Sequence, residues 1–300
     1  MERTLTVEAE PETAPRLDAY LHAALPTLSR RLLRRIIADG VVRVNGRPAA
    51  KGVRLRGGDR VTLPDLPLAV VPEPDLVLPV IYEDDTLVAL DKPGGMRGHA
   101  LDPRQRGTAV AFLCGRYPEM SAIGDVLAPG LVHRLDTGTS GLLLAARSMR
   151  AFGALRAAFR AGNVEKRYLA VVAGDASPLD RLCLQVPLAH DPQDRRRMVE
   201  APAGARAWPA ETRIMVRAVG TGASLVEATI RTGVTHQVRV HLALGGHPVL
   251  NDTLYGGPPA ELPPGRHALH AAGLELSHPD RGGHLVLAAA LPADLAALCP

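Results

Sequence analysis

The segment PGLVHRLDTGTSGLLLAARS (129–148) holds the residues best suited to chemistry. Asp136 follows His133, Arg134 and Leu135 and precedes a small polar turn, Thr137-Gly138-Thr139-Ser140-Gly141. Before it, Leu131-Val132 reads as a strand-like run; after it, LLLAA (142–146) runs back into a core. An acid on a turn between two buried runs is held stiffly at a rim, which suits a nucleophile. Composition alone favours a plainer reading, in which Asp136 is a turn residue capping its neighbours. Ser140 near His133 and Asp136 would suggest a hydrolase triad. Glycine follows Ser140 directly, however, so the GxSxG elbow is absent and a triad is disfavoured.

Metal and redox chemistry find little support. His236/His241 and His267/His270 are spaced like ligand pairs, but no third ligand pattern accompanies them, so no metal is expected. Cys114, Cys183 and Cys299 lie far apart with no CxxC pair, which indicates neither disulfides nor a cysteine zinc site. There is no GxGxxG or Walker loop, and no cofactor is expected.

The chain has 300 residues, 46% hydrophobic and 22% charged, a globular composition long enough for two domains. Aromatics are 3%, so the core must rest on Val, Leu, Ile and Ala. The start, MERTLTVEAE, lacks a basic stretch followed by an apolar one, so no secretory signal is read. No apolar run approaches the ~20 residues that span a bilayer. A cytoplasmic protein with no membrane partner is expected.

Charge is unevenly distributed. Residues 30–60 carry ten basic residues against two acids, so this segment is +8 while the rest of the chain is −4. Such a patch attracts a polyanion. Its elements are legible. Residues 16–25 read as a helix limited by Pro26. A second helix runs from about 29 to 39, with Ser29 as N-cap and Gly40 past its end. On it Leu32, Leu33, Ile36 and Ile37 fall on one side and Arg30, Arg31, Arg34 and Arg35 on the other. VVRVNG and VRLRGGDRVTL follow, with turns at Asn45-Gly46 and Gly57-Gly58-Asp59, and are read as short strands carrying Arg43, Arg47, Arg54 and Arg56.

Pro64, Pro67, Pro72, Pro74 and Pro79 suggest an extended spacer, with a domain boundary near residue 72. Beyond it, residues 87–91, 168–172 and 225–230 read as strands. Residues 149–161 read as a helix capped by Ser148, with Phe152, Leu155 and Phe159 on one face and Gly162 at its stop. The irregular alternation argues for an α+β domain.

Two resemblances follow from these segments. RLDAYL, LSRRLLRRIIADGVVRVNG and RGGDRVTL resemble the αL-type RNA-binding module first known from a ribosomal protein, the S-four domain, over about residues 15–63. HRLDTGTSGLLL resembles the signature of the RluA-type pseudouridine synthases. YEDDTLVALDKPGG (82–95), VEKRYLAVVAG (164–174), TGVTHQVRVHLALGGHPVLNDTLYG (232–256) and ALHAAGLELSHP (268–279) resemble further elements of that family, in its order. Three departures stand out. Val234 replaces a usual Arg or Lys, Asn251 replaces a usual Gly, and Thr137-Gly138 replaces a commoner charged pair.

The resemblance implies an α+β fold: a catalytic domain (73–300) with a central mixed, largely antiparallel sheet and a cleft, and a small N-terminal α/β RNA-binding domain (1–72). It implies isomerisation of uridine to pseudouridine in RNA, most naturally ribosomal RNA, by a monomer. Asp136 would attack the target nucleotide, by adding to the sugar or by removing a sugar proton. Arg239 would hold it ionised through a salt bridge. Tyr168 would stack on the uracil and assist proton removal at C5. Arg134 would fill the gap left by a flipped base, grip the rearranged RNA, or contact a phosphate. Arg30, Arg31, Arg34, Arg35 and Arg43 would bind RNA. Lys166 is expected to be structural, Lys92-Pro93-Gly94-Gly95 to form a turn framing the cleft, and Arg195-Arg196-Arg197 to lie in a loop that is either solvated or touches RNA. A catalytically silent RNA-binding or ribosome-assembly factor on the same fold is the alternative.

Overall fold

The computed structural model describes residues 2–8, 14–25, 28, 30–50, 52–64 and 69–300, with the side chain of Arg31 outside that description. The expected cap Ser29, the helix limit Pro26, Lys51 and Pro67 lie outside the described residues. In chain order the elements are β1 (Glu2–Thr6), α1 (Leu17–Ala24), α2 (Arg30–Ala38), β2 (Arg43–Val44), β3 (Arg47–Pro48) and β4 (Arg60–Pro64). Then come β5 (Val80–Glu83), β6 (Leu87–Lys92), α3 (Ala109–Arg116), β7 (Gly124–Asp125), β8 (Ala128–Pro129), β9 (Ser140–Ala146), α4 (Met149–Arg160) and β10 (Glu165–Ala173). The chain finishes with β11 (Cys183–Leu184), β12 (Leu188–His190), β13 (Met198–Glu200), β14 (Thr212–Val219), β15 (Ala223–Ile230), α5 (Gln237–Leu244), β16 (Leu269–Ser277), β17 (His284–Ala288) and α6 (Ala293–Ala296). Two compact units result: Met1–Asp75 with His99–Pro129, and Leu76–Gly98 with Gly130–Pro300.

In the first unit, α1 and α2 share a core with a sheet of order β1-β4-β2-β3. Leu32, Leu33, Ile36 and Ile37 of α2 are buried, while Arg30, Arg34 and Arg35 face out. Each buried Leu or Ile contributes about 1.5–3 kcal/mol, far more than the repulsion between exposed arginines costs. Asn45 and Gly46 both have positive φ, 50° and 79°, which closes the β2–β3 hairpin with a two-residue turn matched to strand twist. Residues 53–56 do not join this sheet as a strand. They bond instead to the first residue of α1 and the segment before it, Leu17 N to Val53 O and Leu55 N to Pro15 O, both at 2.9 Å. Arg54 makes only an isolated bridge with Arg16, so the alternating pattern there is corrected to an edge contact.

Over its described part the proline-rich segment is anchored within the first unit. Glu73 N donates to Ala111 O at 2.9 Å, and the Glu73 carboxylate accepts from Arg106 Nε (2.9 Å) and Gly107 N (2.5 Å). These bonds tie it to α3 and the loop before it, and residues 99–129 cluster with the first unit rather than the second.

The second unit is built on a nine-stranded sheet of order β11-β14-β15-β10-β16-β9-β6-β5, with β17 also beside β16. Among the described residues every pairing in it is antiparallel except β9 with β16, which matches Ser140 to His270 and Gly141 to Ala271. Gly141 has φ +107°, and a Cβ there would overlap the Ala271 carbonyl, so only glycine lets the two strands meet. Strand β9 is buried along its whole length. Helix α4 covers it with Ala151 and Leu155, in one cluster with Leu142, Leu144 and Leu274. Ser148 caps α4 by accepting from Ala151 N at 3.2 Å, and Gly162 leaves the helix at φ +72°. Leu131-Val132 is corrected from a strand to a single bridge between Leu131 and Ala145. Among the described residues no helix is long and apolar enough to cross a membrane.

Candidate active site

The turn carrying Asp136 is pinned from behind. Thr139 N donates to Asp136 O at 3.1 Å, closing the turn before β9 starts. Arg266, 3% exposed, reaches it from the strand side. Its Nη1 donates to Gly138 O (2.9 Å), His267 O (3.0 Å) and Leu269 O (3.1 Å), and its Nη2 to Ser140 Oγ (2.9 Å). Asp294 of α6 balances its charge, accepting from Nε at 3.0 Å. Lys92, fully buried at the end of β6, donates to Pro93 O and Met96 O at 2.9 Å and to Thr137 O at 3.4 Å. Burial pulls its pKa down to about 7. Gly95 N also donates to Thr137 O, at 2.8 Å. The 92–95 segment therefore buttresses the turn.

These contacts also dismantle the hydrolase alternative. Ser140 shares a hydrogen bond with His270 Nδ1 at 2.9 Å. His133 Nε2 accepts from Leu144 N at 2.9 Å, its ring stacks on Phe159 at 4.8 Å, and burial lowers its pKa to about 3. The described histidines of the ligand-like pairs bond to hydroxyls or carbonyls: His241 to Thr212 and Val186, His267 to Thr139, His236 to Tyr255.

Asp136 and Arg239, 103 positions apart, meet: Arg239 Nη1 donates to Asp136 Oδ2 at 2.8 Å. Arg239 sits on α5, a helix whose buried Gln237 is fixed by Thr232 Oγ1, Glu211 O and Thr212 Oγ1. Asp252 grips the same guanidinium by Nε (2.6 Å) and Nη2 (2.7 Å), and Tyr255 lies with its ring 5.0 Å from it. His236 Nε2 is 3.7 Å from Asp136 Oδ1, and its Nδ1 shares a 2.8 Å bond with Tyr255 OH. Burial pushes the Asp136 carboxyl up, but His236 and the charge and hydrogen bond of Arg239 outweigh it and hold it below its ordinary value. Burial drives His236 itself toward the neutral form, so at neutral pH the arginine supplies the charge.

Above this pair lies a cleft of about 860 Å³. Tyr168 of β10, buried, forms part of its wall; burial and then the Asp136 charge raise its pKa, keeping the phenol protonated. Arg134 is exposed on the cleft lining. Lys166 is buried there with its Nζ donating to Thr232 O (2.7 Å) and Arg231 O (3.2 Å), which ties β10 to the loop before α5. Burial lowers its pKa to about 8. Arg196 pairs with Asp194, and Arg197 turns toward Tyr255, its guanidinium 5.9 Å from the ring.

The structure thus brings Asp136, Arg239, Tyr168 and Arg134 to one cleft in the second unit. Arg30, Arg34, Arg35 and Arg43 are exposed in the first unit, where Arg34 and Arg35 make long ion pairs with Asp18 (3.5 Å) and Asp39 (3.8 Å). Sequence reasoning missed Asp252, His236, Tyr255 and Arg266. Asp252 had a signal in the GHPVLND stretch, since an acid that follows an apolar run and is buried with it needs a cation. Asn251 explains itself: its φ is +61°, a backbone state that Asn adopts more readily than other non-glycine residues. Its Nδ2 also donates to Arg266 O at 2.7 Å.

Comparison with known proteins gives the family. Residues 86–244 match the family described as RNA pseudouridylate synthase, and residues 15–61 match the S4 domain. A Chloroflexus aurantiacus protein described as an uncharacterized RNA pseudouridine synthase is 39% identical over 297 residues, covering 98% of this chain and 92% of that protein. The ribosomal large subunit pseudouridine synthase D of Neisseria meningitidis serogroup A is 34% identical over 296 residues, covering 93% and 76%. Among solved structures, human RNA pseudouridylate synthase domain containing 1 superposes with a TM-score of 0.59 at 25% identity, covering 74% of this chain and 87% of that one. With an S4 domain ahead of a matching catalytic region, the chain belongs to the RluA-type family of RNA pseudouridine synthases.

Proposed function

We propose that the protein converts specific uridines of ribosomal RNA to pseudouridine, with Asp136 as the group that attacks the target nucleotide. In this isomerisation the N1–C1′ bond breaks, a C5–C1′ bond forms, C5 gives up a proton and N1 takes one. The observation that carries this is Asp136, paired with Arg239 at 2.8 Å and facing a cleft on a turn tied down at two backbone carbonyls and two hydroxyls. A carboxylate so fixed meets sugar C1′, or the proton at C2′, without reorganising.

Tyr168 offers a ring face to the uracil and an O–H donor. Its raised pKa favours these roles over proton removal at C5, which would need the phenolate. The target must leave its stack to enter, at a cost of a few kcal/mol, and Arg134 at the rim is the cation we assign to the vacated or rearranged RNA. Residues 1–72 supply the basic arginines for structured RNA, whose phosphate contacts give affinity more than sequence choice. Ribosomal RNA is the favoured target because the Neisseria relative is named for the large ribosomal subunit. A monomer in the cytoplasm suffices, since one chain carries every group invoked.

The test is tritium release from RNA labelled at uridine C5, using ribosomal RNA from cells lacking the protein. Release by the wild type and none by Asp136→Ala is expected. Equal release by both would overturn the role of Asp136, and release from transfer RNA alone would overturn the target.

A further inference from the structure

We propose that Trp208 is a stacking platform for a second base of the bound RNA, a neighbour of the uridine that enters the cleft. The inference rests on the RNA reading above. The chain has one tryptophan, five tyrosines and three phenylalanines, and its single tryptophan lines the same cleft as Asp136 and Tyr168.

Trp208 is held as a platform would be. Its backbone is pinned to β12 by reciprocal bonds with Leu188, at 2.8 and 2.9 Å. One part of the indole packs on Leu188, Met198, Ala210 and Val240, while the residue as a whole stays half-buried. His190 braces it edge-on, ring centres 5.5 Å apart at 86°. The guanidinium of Arg206, an exposed residue, lies 5.7 Å from the indole centre and pairs with no carboxylate among the described residues. A half-exposed indole with a spare cation beside it matches a nucleotide: a base has a π face to stack, and its phosphate has a charge to pair.

Val234 strengthens the case. Where the resembling family usually carries Arg or Lys, this chain has an apolar side chain packed against the same cluster as Trp208. That wall of the cleft therefore offers apolar surface and an aromatic face in place of a charge. When the target uridine leaves its stack, its neighbours lose a stacking partner, and an aromatic side chain at the cleft edge replaces it. Arg206, exposed and long, is free to move from the indole to the adjoining phosphate as the base arrives.

Because Trp208 is the only tryptophan, its emission reports the site directly in the unmodified full-length protein. The probes are single-stranded heptauridylate and, as control, uridine monophosphate. Saturating heptauridylate should quench the emission by half or more, and the mononucleotide should not. Trp208→Ala should raise the heptauridylate Kd about tenfold, the scale of one lost base–aromatic stack, and lower kcat/KM chiefly through KM; Trp208→Phe should stay within about threefold. Unchanged emission when a fluorescein label on the same oligonucleotide reports saturation would overturn the platform, as would absence of binding at low salt or tight binding by Trp208→Ala. Pseudouridine formation by the same preparation separates the two readings: activity with a silent indole removes the platform and leaves the enzyme.

Discussion

Asp252 holds Arg239 by two near-parallel hydrogen bonds, 2.6 Å from Nε and 2.7 Å from Nη2. Such a fork fixes the guanidinium plane, so that the remaining Nη1 is aimed at Asp136. Without Asp252, Arg239 would be a buried cation with one partner and a free torsion. Asp252→Ala is expected to cost about 3–5 kcal/mol of stability, the range for breaking a buried pair. Urea denaturation measures it, and a loss under about 1 kcal/mol would contradict the grip.

The ionised state of Asp136 gives a pH prediction with a definite sign. Its pKa in the folded chain is lowered, so the carboxylate persists through the neutral range. Its contribution to stability is present above the unfolded value of about 3.9 and is lost as pH falls through the lowered folded value. Arg239→Gln removes the guanidinium and leaves His236 and His267 to oppose burial, so the acid limb of the single-turnover rate should move upward. An unmoved limb would mean that another group ionises Asp136.

Arg266 touches the back of the turn and not the cleft, so its loss should act through Asp136. Arg266→Gln is expected to destabilise the fold by about 1–3 kcal/mol for each buried acceptor left without a donor, with little added by Asp294, which solvent reaches. In the protein that remains folded at low temperature, kcat should fall by about tenfold or more with KM little changed, as for a misplaced attacking group. Stopped chemistry measured under single-turnover conditions distinguishes this from weaker RNA binding.

Much of this arrangement was legible in the residues. The α2 faces followed from helical period alone, because Leu32, Leu33, Ile36 and Ile37 are apolar at the right spacing and nothing overrides burial. The Ser148 cap and the Gly162 stop of α4 were equally plain. Asp136 stood out only through the long motif around it, since composition reads an acid on a turn as a cap. The partners that fix its geometry were hidden for a physical reason. Arg266 and Lys92 act through backbone carbonyls, which carry no side-chain signature, and the acceptors are far away in sequence. Residues 53–56 misled because an alternating run marks a half-buried extended segment whether or not a neighbouring strand pairs with it.

Asn251 offers a clean backbone test. At φ +61° a β-branched side chain is strained, whereas Gly is relaxed. Asn251→Val should lose about 1–2 kcal/mol or more from that strain, and the lost bond to Arg266 O adds to it. Asn251→Gly should lose less. Equal melting temperatures for the two variants would contradict the strain.

The arginines of α2 predict a salt effect. Arg34 and Arg35 make only long, exposed pairs, worth little, so they are available to phosphates. Replacing Arg30, Arg34 and Arg35 with Gln should lower the slope of log K against log salt by about 2–3 for a structured RNA. Filter binding across a salt series measures it, and an unchanged slope would remove this helix from the interface.

The narrow parallel seam between β9 and β16 has a consequence during translation. Ser140 and His270 stand 130 positions apart, and that seam, with Arg266 beside it, is what makes the bend behind Asp136 rigid. A ribosome that has already released the aspartate must still deliver β16 before the two halves of the sheet can be stitched together. Contacts so distant along the chain close late. The nascent polypeptide accordingly holds Asp136 on an unsupported bend until β16 has emerged to pair with β9.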